Sequence, residues 1–141
     1  MDALATAEAG RIRAETSLEI GADTNAAVTT GDPRALARVL RNVLDNAARH
    51  TRTRIDITTR TVDSNVLLIV ADDGPGIPAA DRSRVFDRFV RLDADRSRRS
   101  GGAGLGLAIV AEIVAAHHGT VHLDERPGGG ARVTVTLPTG G

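Results

Sequence analysis

The sequence contains no cysteine, no lysine, no tryptophan and no tyrosine. The absence of cysteine excludes disulfides and thiolate metal sites, and it is compatible with a cytoplasmic protein. The absence of lysine excludes a phosphate-binding loop of the Walker type, which needs that side chain. Aromatic residues make up only 1% of the chain. We therefore do not expect nucleic-acid binding by base stacking on aromatic side chains.

Net charge and long apolar segments are also missing. The 18 basic residues, all of them arginine, balance 18 acidic residues, so the formal net charge is zero. No strong field therefore draws the chain to nucleic acid or to anionic membranes. The sequence has no apolar run of about 18 residues and no signal-peptide pattern, so we expect no membrane-spanning helix and no direct membrane contact.

The chain has 141 residues, of which 41% are hydrophobic, and this predicts a single globular domain over 1–141 with a core of Leu, Ile, Val and Ala. The clearest element is a helix over 32–50, because Asp32 is a good N-cap, Pro33 suits the first helical position and an apolar stripe follows at helical spacing. The other predicted elements are helices over 2–16 and 103–117 and strands over 17–22, 26–30, 53–62, 65–72, 120–127 and 131–138.

The order of these elements predicts the fold class. A helix, strands, a second helix, two strands, a long irregular stretch, a further helix and two strands imply an α/β (α+β) two-layer sandwich, in which a mixed β-sheet carries helices on one face. The irregular stretch lies between residues 72 and 102, and only 79–89 within it has local helical character. A connection of this length in a compact domain is usually functional or mobile.

Residues 71–78, ADDGPGIP, form the first candidate for a functional site. Asp72 ends an apolar strand and Gly74 and Gly76 follow, so a planar ligand can approach the backbone and donate a hydrogen bond to the carboxylate. The exocyclic amine of adenine is such a donor. We expect this carboxylate at the edge of a loop and outside the core. The alternative is a tight turn without function, since Asp-Gly and Pro-Gly pairs mark turns in many proteins.

Two asparagines in the helix over 32–50 form the second candidate. Asn42 and Asn46 are four residues apart and therefore share one face of the helix. Asparagine is a mediocre helix former, so two of them on one face need a reason. Their amide oxygens suit a Mg²⁺ ion that already carries phosphate charge. The alternative is a solvated helix face with an incidental ion pair between Asp45 and Arg49.

The third candidate is the glycine-rich start of the last helix, in RRSGGAGLGLAIVAEIVAAHHG over 98–119. Free backbone N–H groups followed by the positive end of a helix dipole form an anion-binding site. The glycines do not follow a strand, so they do not indicate a Rossmann-type site. We expect the helix to end just before Gly119, which is the residue type favoured as a C-cap.

Four segments taken together resemble a known family. NVLDNA is similar to the N box, DDGPGIP to the G1 box, FDRF to the F box and GGAGLGLAIV to the G2 box of the ATP-binding catalytic domain of bacterial two-component sensor histidine kinases. The same superfamily includes type II topoisomerases, a heat-shock chaperone and mismatch-repair ATPases. The resemblance covers residues 25–138. It implies a Bergerat fold with an ATP lid over 77–101, between the third and fourth helical segments, which Phe86 and Phe89 would anchor by packing.

The resemblance also implies roles for individual residues. Asp72 would accept a hydrogen bond from the adenine amino group of ATP, and Asn46 and Asn42 would bind Mg²⁺. Arg49 and His50 occupy positions that often touch phosphate or ribose in the family. The complete set of implied nucleotide-contacting residues is Asn42, Asn46, Arg49, His50, Asp72, Gly74, Gly76, Ile77, Phe86, Phe89, Gly102, Gly104, Leu105, Gly106 and Leu107.

The residue at position 42 separates kinases from ATPases in this superfamily. The hydrolysing members carry a glutamate there as general base, and an amide cannot take up a proton in this way. Asn42 therefore favours phosphotransfer over hydrolysis, and Asp45 is expected to be structural. Three alternatives stay open, namely a hydrolase, a nucleotide-binding module without chemistry, and a serine kinase of the anti-sigma type.

The nucleophile is expected to come from another domain. The phosphoacceptor histidine of the family is typically followed by an acidic residue, whereas no histidine of this chain is followed by Asp or Glu; the four are His50, His117, His118 and His122. We therefore expect no catalytic residue within the chain itself. The implied partner is a histidine-bearing dimerisation domain, in the same protein or in trans, with a response regulator downstream and no nucleic acid. The implied location is the bacterial cytoplasm.

Overall fold

A computed structural model describes residues 2–24, 32–51, 53–74, 103–126 and 128–138. Its elements are α1 (Asp2–Glu15), β1 (Glu19–Thr24), α2 (Pro33–His50), β2 (Arg54–Val62), β3 (Asn65–Asp72), α3 (Ala103–Ala116), β4 (Thr120–Glu125) and β5 (Ala131–Pro138). All of them agree with the elements expected from the sequence, with ends that differ by no more than two residues. The predicted strand over 26–30 and the local helix over 79–89 lie outside the described residues.

The described strands form one mixed sheet in the order β1-β2-β3-β5-β4. β1 and β2 are parallel, which requires a crossover connection, and α2 provides it. The other neighbouring pairs are antiparallel. β3 is therefore central, with hydrogen-bonded neighbours on both sides. The fold class expected from the order of elements is confirmed.

The helices cover one face of this sheet. Alternate residues of β2, β3 and β5 are buried, and they share a single core with the apolar stripes of the three helices described above. On β3 the buried residues include Val66, Leu68 and Val70, whereas Leu67 and Ile69 on the other face are only partly buried. No helix among the described residues packs on this second face.

Helix α2 begins where its local chemistry predicts. The Asp32 side chain accepts a hydrogen bond from the Arg34 N–H at 3.0 Å, and Pro33 takes the first helical position. The apolar stripe of the helix is buried throughout; its members are Leu36, Val39, Leu40, Val43, Leu44 and Ala47. The helix ends at His50, and the N–H of the following cap residue Thr51 donates to the Ala47 carbonyl at 2.8 Å.

Helices α2 and α3 pack against each other, and the contact between the start of α2 and the end of α3 indicates that they run in opposite directions. At the start of α2, the Asp32 N–H donates to Nε2 of His117, just past the end of α3, at 3.3 Å. Nδ1 of His117 lies 2.8 Å from the Ile113 carbonyl oxygen, so the ring contacts both helices. The antiparallel arrangement brings the first turn of α3 to the end where α2 finishes.

The end of α3 differs from the expected geometry. His118, with φ of 64°, takes the left-handed conformation that was expected of glycine. The Gly119 N–H closes the helix by donating to the Val114 carbonyl at 2.9 Å. Gly119 is needed for a different reason, because a Cβ there would overlap the carbonyl oxygen of Thr136 and lie 2.7 Å from Cδ2 of Leu137.

Replacing His118 with glycine is expected to stabilise the domain by about 0.5–1 kcal/mol, because glycine adopts a positive φ without the steric cost of a Cβ. Urea denaturation of His118→Gly and the parent domain measures the difference. His122→Gly is the matched control, since the same exchange in the exposed part of strand β4 should lower stability. A destabilised His118→Gly would mean that the imidazole makes a contact that outweighs its backbone strain.

Within the described ranges, no helix is both long enough and apolar enough to cross a membrane.

Candidate functional site

The site begins with Asp72, the last residue of β3. Its side chain lies in phase with Val66, Leu68 and Val70 on the helix-covered face, and the residue is only 5% exposed. Its Oδ1 accepts a hydrogen bond from the Gly74 N–H at 2.9 Å. The expectation that this carboxylate lies outside the core was therefore wrong, because the strand continues to Asp72 and its alternation directs the side chain inward.

The next residue, Asp73, connects the end of β3 to the end of α2. Its carboxylate accepts hydrogen bonds from the Thr51 hydroxyl at 2.7 Å, from the Thr53 N–H at 3.0 Å and from the Arg54 N–H at 3.2 Å. The Thr53 hydroxyl donates to it as well. These bonds, led by those from the side chain and backbone of Thr53, hold the pKa of Asp73 well below its usual range. No sequence pattern pointed to this role.

The two asparagines lie on α2, one turn apart, and both are half-buried. The Nδ2 atom of Asn42 is buried and has no hydrogen-bond partner among the described residues. A buried amide donor without an acceptor is costly, so a polar ligand or water is expected there. Asp45 points elsewhere: its Oδ1 accepts from Nη2 of Arg11 on α1 at 2.7 Å. The side chain of Arg49, the partner that the sequence suggested for Asp45, lies outside the described part of the molecule.

The N-terminus of α3 reaches the same region. Because α2 and α3 are antiparallel, the first turn of α3 lies near the C-terminal end of α2, which Asp73 connects to the end of β3. The first N–H groups of a helix have no partner within the helix, and the dipole makes this end attractive to anions. The end of β3 with Asp72, the C-terminal end of α2 and the N-terminus of α3 therefore lie at the same end of the sheet.

Residues 31–141 match the family model described as "Histidine kinase-, DNA gyrase B-, and HSP90-like ATPase". This match includes the asparagine-bearing helix, the end of β3 and the glycine-rich start of α3. The chain belongs to this ATPase family. The resemblance found in the four sequence boxes is thereby confirmed.

The similar curated proteins are sensor histidine kinases, which form one branch of this family. The chain is 50% identical over 103 residues to the probable sensor histidine kinase TcrY of Mycobacterium tuberculosis, which covers 72% of this chain and 22% of that protein. It is 41% identical over 108 residues to the sensor histidine kinase CpxA of Escherichia coli, covering 77% and 24%. The chain is thus an ATPase domain of the histidine-kinase type, and it spans less than a quarter of these curated relatives.

Solved structures agree with this assignment. The mycobacterial sensor histidine kinase MprB superposes with a TM-score of 0.83 at 31% identity, covering 96% of this chain and 91% of that one. Full-length ShkA in complex with AMPPNP superposes with a TM-score of 0.80 at 31% identity, covering 97% and 29%. Both matches extend over nearly the whole of the present chain.

Part of the predicted site lies among the residues that the structure describes. The positions of four predicted site residues are given above, namely Asn42, Asn46, Asp72 and Gly74. Leu107 is 2% exposed and belongs to the core, which favours packing as the role of its side chain. Only the helical backbone is described for Arg49, His50, Gly104, Leu105 and Gly106, and the remaining predicted positions lie outside the described residues: Gly76, Ile77, Phe86, Phe89, Gly102 and the lid over 77–101.

Gly130 lies against the backbone of Asp72, and the sequence did not reveal this contact. It precedes β5, has a φ of +111° and is buried. A Cβ at this position would overlap the carbonyl oxygen of Asp72 and lie 2.9 Å from its carbonyl carbon and 3.1 Å from Cα of Asp73. The three glycines over 128–130 lie between two predicted strands, and nothing local in the sequence indicates which of them approaches another strand.

Proposed function

We propose that this domain binds Mg-ATP where β3 ends and donates the γ-phosphate to a histidine on a separate dimerisation domain. The observation that carries the proposal is the buried Asp72 carboxylate, which lies at the same end of the sheet as the asparagine face of α2 and the N-terminus of α3. The Asp72 carboxylate can accept a hydrogen bond from adenine, and the N-terminus of α3 can bind phosphate. Together at one end of the sheet, the two groups suit a nucleoside triphosphate.

At the adenine end, Asp72 would accept a hydrogen bond from the exocyclic amino group. Its burial supports this role, because a hydrogen bond to a desolvated carboxylate discriminates strongly between a base that carries the donor and one that lacks it. The bond from the Gly74 N–H fixes the orientation of the carboxylate.

At the phosphate end, Asn46 and Asn42 would hold Mg²⁺ through their amide oxygens. The residues fit the ion, since Mg²⁺ takes oxygen ligands and is usually bound together with substrate phosphates. The buried, unpartnered Nδ2 of Asn42 also fits, because the same amide can then donate to a phosphate oxygen. When bound, the ion neutralises charge on the phosphates. The N–H groups at the start of α3 would supply further donors.

Transfer is favoured over hydrolysis because neither of the two residues of α2 that could be considered as a base for water is suitable. Asn42 stands where hydrolysing members have glutamate, and an amide does not act as a general base. The Asp45 carboxylate is ion-paired with Arg11, which supports the structural role expected for it. The attacking group must then come from a partner.

We further propose that the partner is a histidine-bearing dimerisation domain, in cis or in trans, with a response regulator downstream, and that the domain works in the bacterial cytoplasm. The sensor histidine kinases among its relatives support this, and so does the absence of an acidic residue after any histidine of the sequence.

The test follows the γ-phosphate. Incubated with Mg²⁺ and γ-labelled ATP, the domain should label a dimerisation-domain protein, and the label should be acid-labile, as phosphohistidine is. Asn46→Ala should abolish the labelling, while Asp63→Asn, in the turn between β2 and β3 at the far end of the sheet, should not. Free phosphate released by the domain alone would identify a hydrolase, acid-stable label a serine kinase, and ATP binding without either product a binding module.

A further inference from the structure

We propose that Gly130 is a positioning residue for adenine selection: by lacking a Cβ, it lets the hairpin between β4 and β5 pack on the backbone of Asp72 and so sets the place of the Asp72 carboxylate. The inference rests on the proposed nucleotide site and concerns how that site distinguishes adenine from other bases.

The contact is between backbone atoms on both sides. The three atoms nearest to a Cβ at position 130 would be the carbonyl oxygen and carbon of Asp72 and Cα of Asp73, all of them backbone atoms. A backbone overlap cannot be relieved by turning a side chain, so one of the two chain segments has to move. The question is which segment gives way.

The hairpin is held in place by its own bonds and by a contact across the sheet. The Arg126 N–H donates to the Gly130 carbonyl at 3.0 Å, and the Gly129 N–H donates to the Arg126 carbonyl at 2.9 Å. Nη2 of Arg126 lies 3.5 Å from Oδ2 of Asp56 on β2. The Arg126 side chain therefore connects the hairpin to the far side of β3, and displacing the hairpin would break this contact.

The segment at Asp72 is held as well, because Asp73 accepts hydrogen bonds from Thr51 and Thr53. The overlap would therefore strain the peptide that joins Asp72 to Asp73. Asp72 is the last residue of its strand, and its carboxylate is bound to the Gly74 N–H in the turn that follows. A shift of the peptide after Asp72 would move the carboxylate and this turn together. Hydrogen-bond strength falls steeply with distance and angle, so a small displacement would weaken the bond to the adenine amine selectively.

The experiment compares Gly130→Ala with Gly129→Ala by calorimetric titration of ATP and of purine riboside triphosphate, which lacks the 6-amino group. Gly129 is a matched control, because its φ is +107° and a Cβ there would meet no atom within 4 Å. Both variants carry the backbone strain of alanine at positive φ. Only Gly130→Ala adds the overlap with Asp72.

We expect Gly130→Ala to lose about tenfold in affinity for ATP but less than about threefold for purine riboside triphosphate, since one hydrogen bond to a charged group is weakened. Gly129→Ala should keep both affinities within about twofold. An equal loss for both nucleotides in Gly130→Ala, or no loss, would overturn the inference.

A second variant covers the case in which Gly130→Ala does not fold. Arg126→Ala releases the hairpin from Asp56 without adding an atom near Asp72, and it should show the same nucleotide-selective loss at about threefold. Equal affinities of Arg126→Ala and the parent for both nucleotides would then overturn the inference. Failure of the parent domain to bind ATP would instead refute the proposed function, so the two failures are distinguishable.

Discussion

Asp72→Asn is expected to lower the affinity for ATP at least about 100-fold while the domain stays folded. Asparagine has nearly the same shape as aspartate, and its carbonyl oxygen can still accept from the Gly74 N–H. The amide nitrogen would then face the adenine amine. Two hydrogen-bond donors would therefore oppose each other in the variant, whereas in the parent the amine donates to a carboxylate. Alanine is a poorer choice, because at this buried position it would leave a cavity as well as an unpaired Gly74 N–H.

Calorimetric titration with ATP, together with circular dichroism for the fold, measures this effect. Asp63→Asn is the matched control, since Asp63 is an exposed aspartate with φ of 54° at the opposite end of β3, and asparagine tolerates this conformation equally well. An Asp72→Asn domain that binds ATP within about threefold of the parent would show that this carboxylate does not select the adenine amine.

Asp73→Asn is expected to lower the thermal midpoint of unfolding by at least about 5 °C at pH 7. The carboxylate accepts from two threonine hydroxyls and two backbone N–H groups between α2 and β2. Asparagine has a single acceptor oxygen, and its amide group would face one of these donors. The loss should therefore exceed that of Asp124→Asn, which removes an ion pair with Arg132 at the sheet edge.

The stabilisation by Asp73 should depend on pH. The pKa of its carboxyl is lowered in the folded domain, so its contribution is fully present above the ordinary aspartate pKa and is lost as the pH falls below about 4. Urea midpoints of the parent and of Asp73→Asn should differ most at neutral pH and approach each other toward pH 3. A difference that stays constant over this range would mean that the charge of Asp73 is not what holds the α2–β2 connection.

Features with a local cause were predictable from the sequence. Asp32 and Pro33 define the start of α2. Their effect was predictable because an N-cap side chain and a first-turn proline depend only on the next few residues of the chain. Strand β2 followed from its alternation and β3 from its continuous apolar run, and α2 and α3 followed from their apolar stripes. The resemblance to the family boxes was enough to single out Asn42, Asn46 and Asp72 as candidate site residues.

Features that depend on distant partners were not predictable. The role of Asp73 depends on Thr51 and Thr53, which lie some twenty residues earlier, and the contact of Gly130 with Asp72 depends on the pairing of β3 with β5. The burial of Asp72 is a different case, because its phase with Val70 is visible in the sequence. The glycines that follow Asp72 suggested a loop edge, but the alternation of the strand that precedes it decides where the side chain lies.

The pairing of Ala71 with Arg132 has a consequence for how the domain can vary. This pair closes a loop of chain that runs from Asp72 through α3 and β4 to the turn before β5. The entropy of closing so long a loop grows only with the logarithm of its length, and doubling it costs about 0.6 kcal/mol. The length of chain between Gly74 and Ala103 can therefore change by several residues with little effect on the free energy of folding, while the pairing of β3 with β5 stays the same.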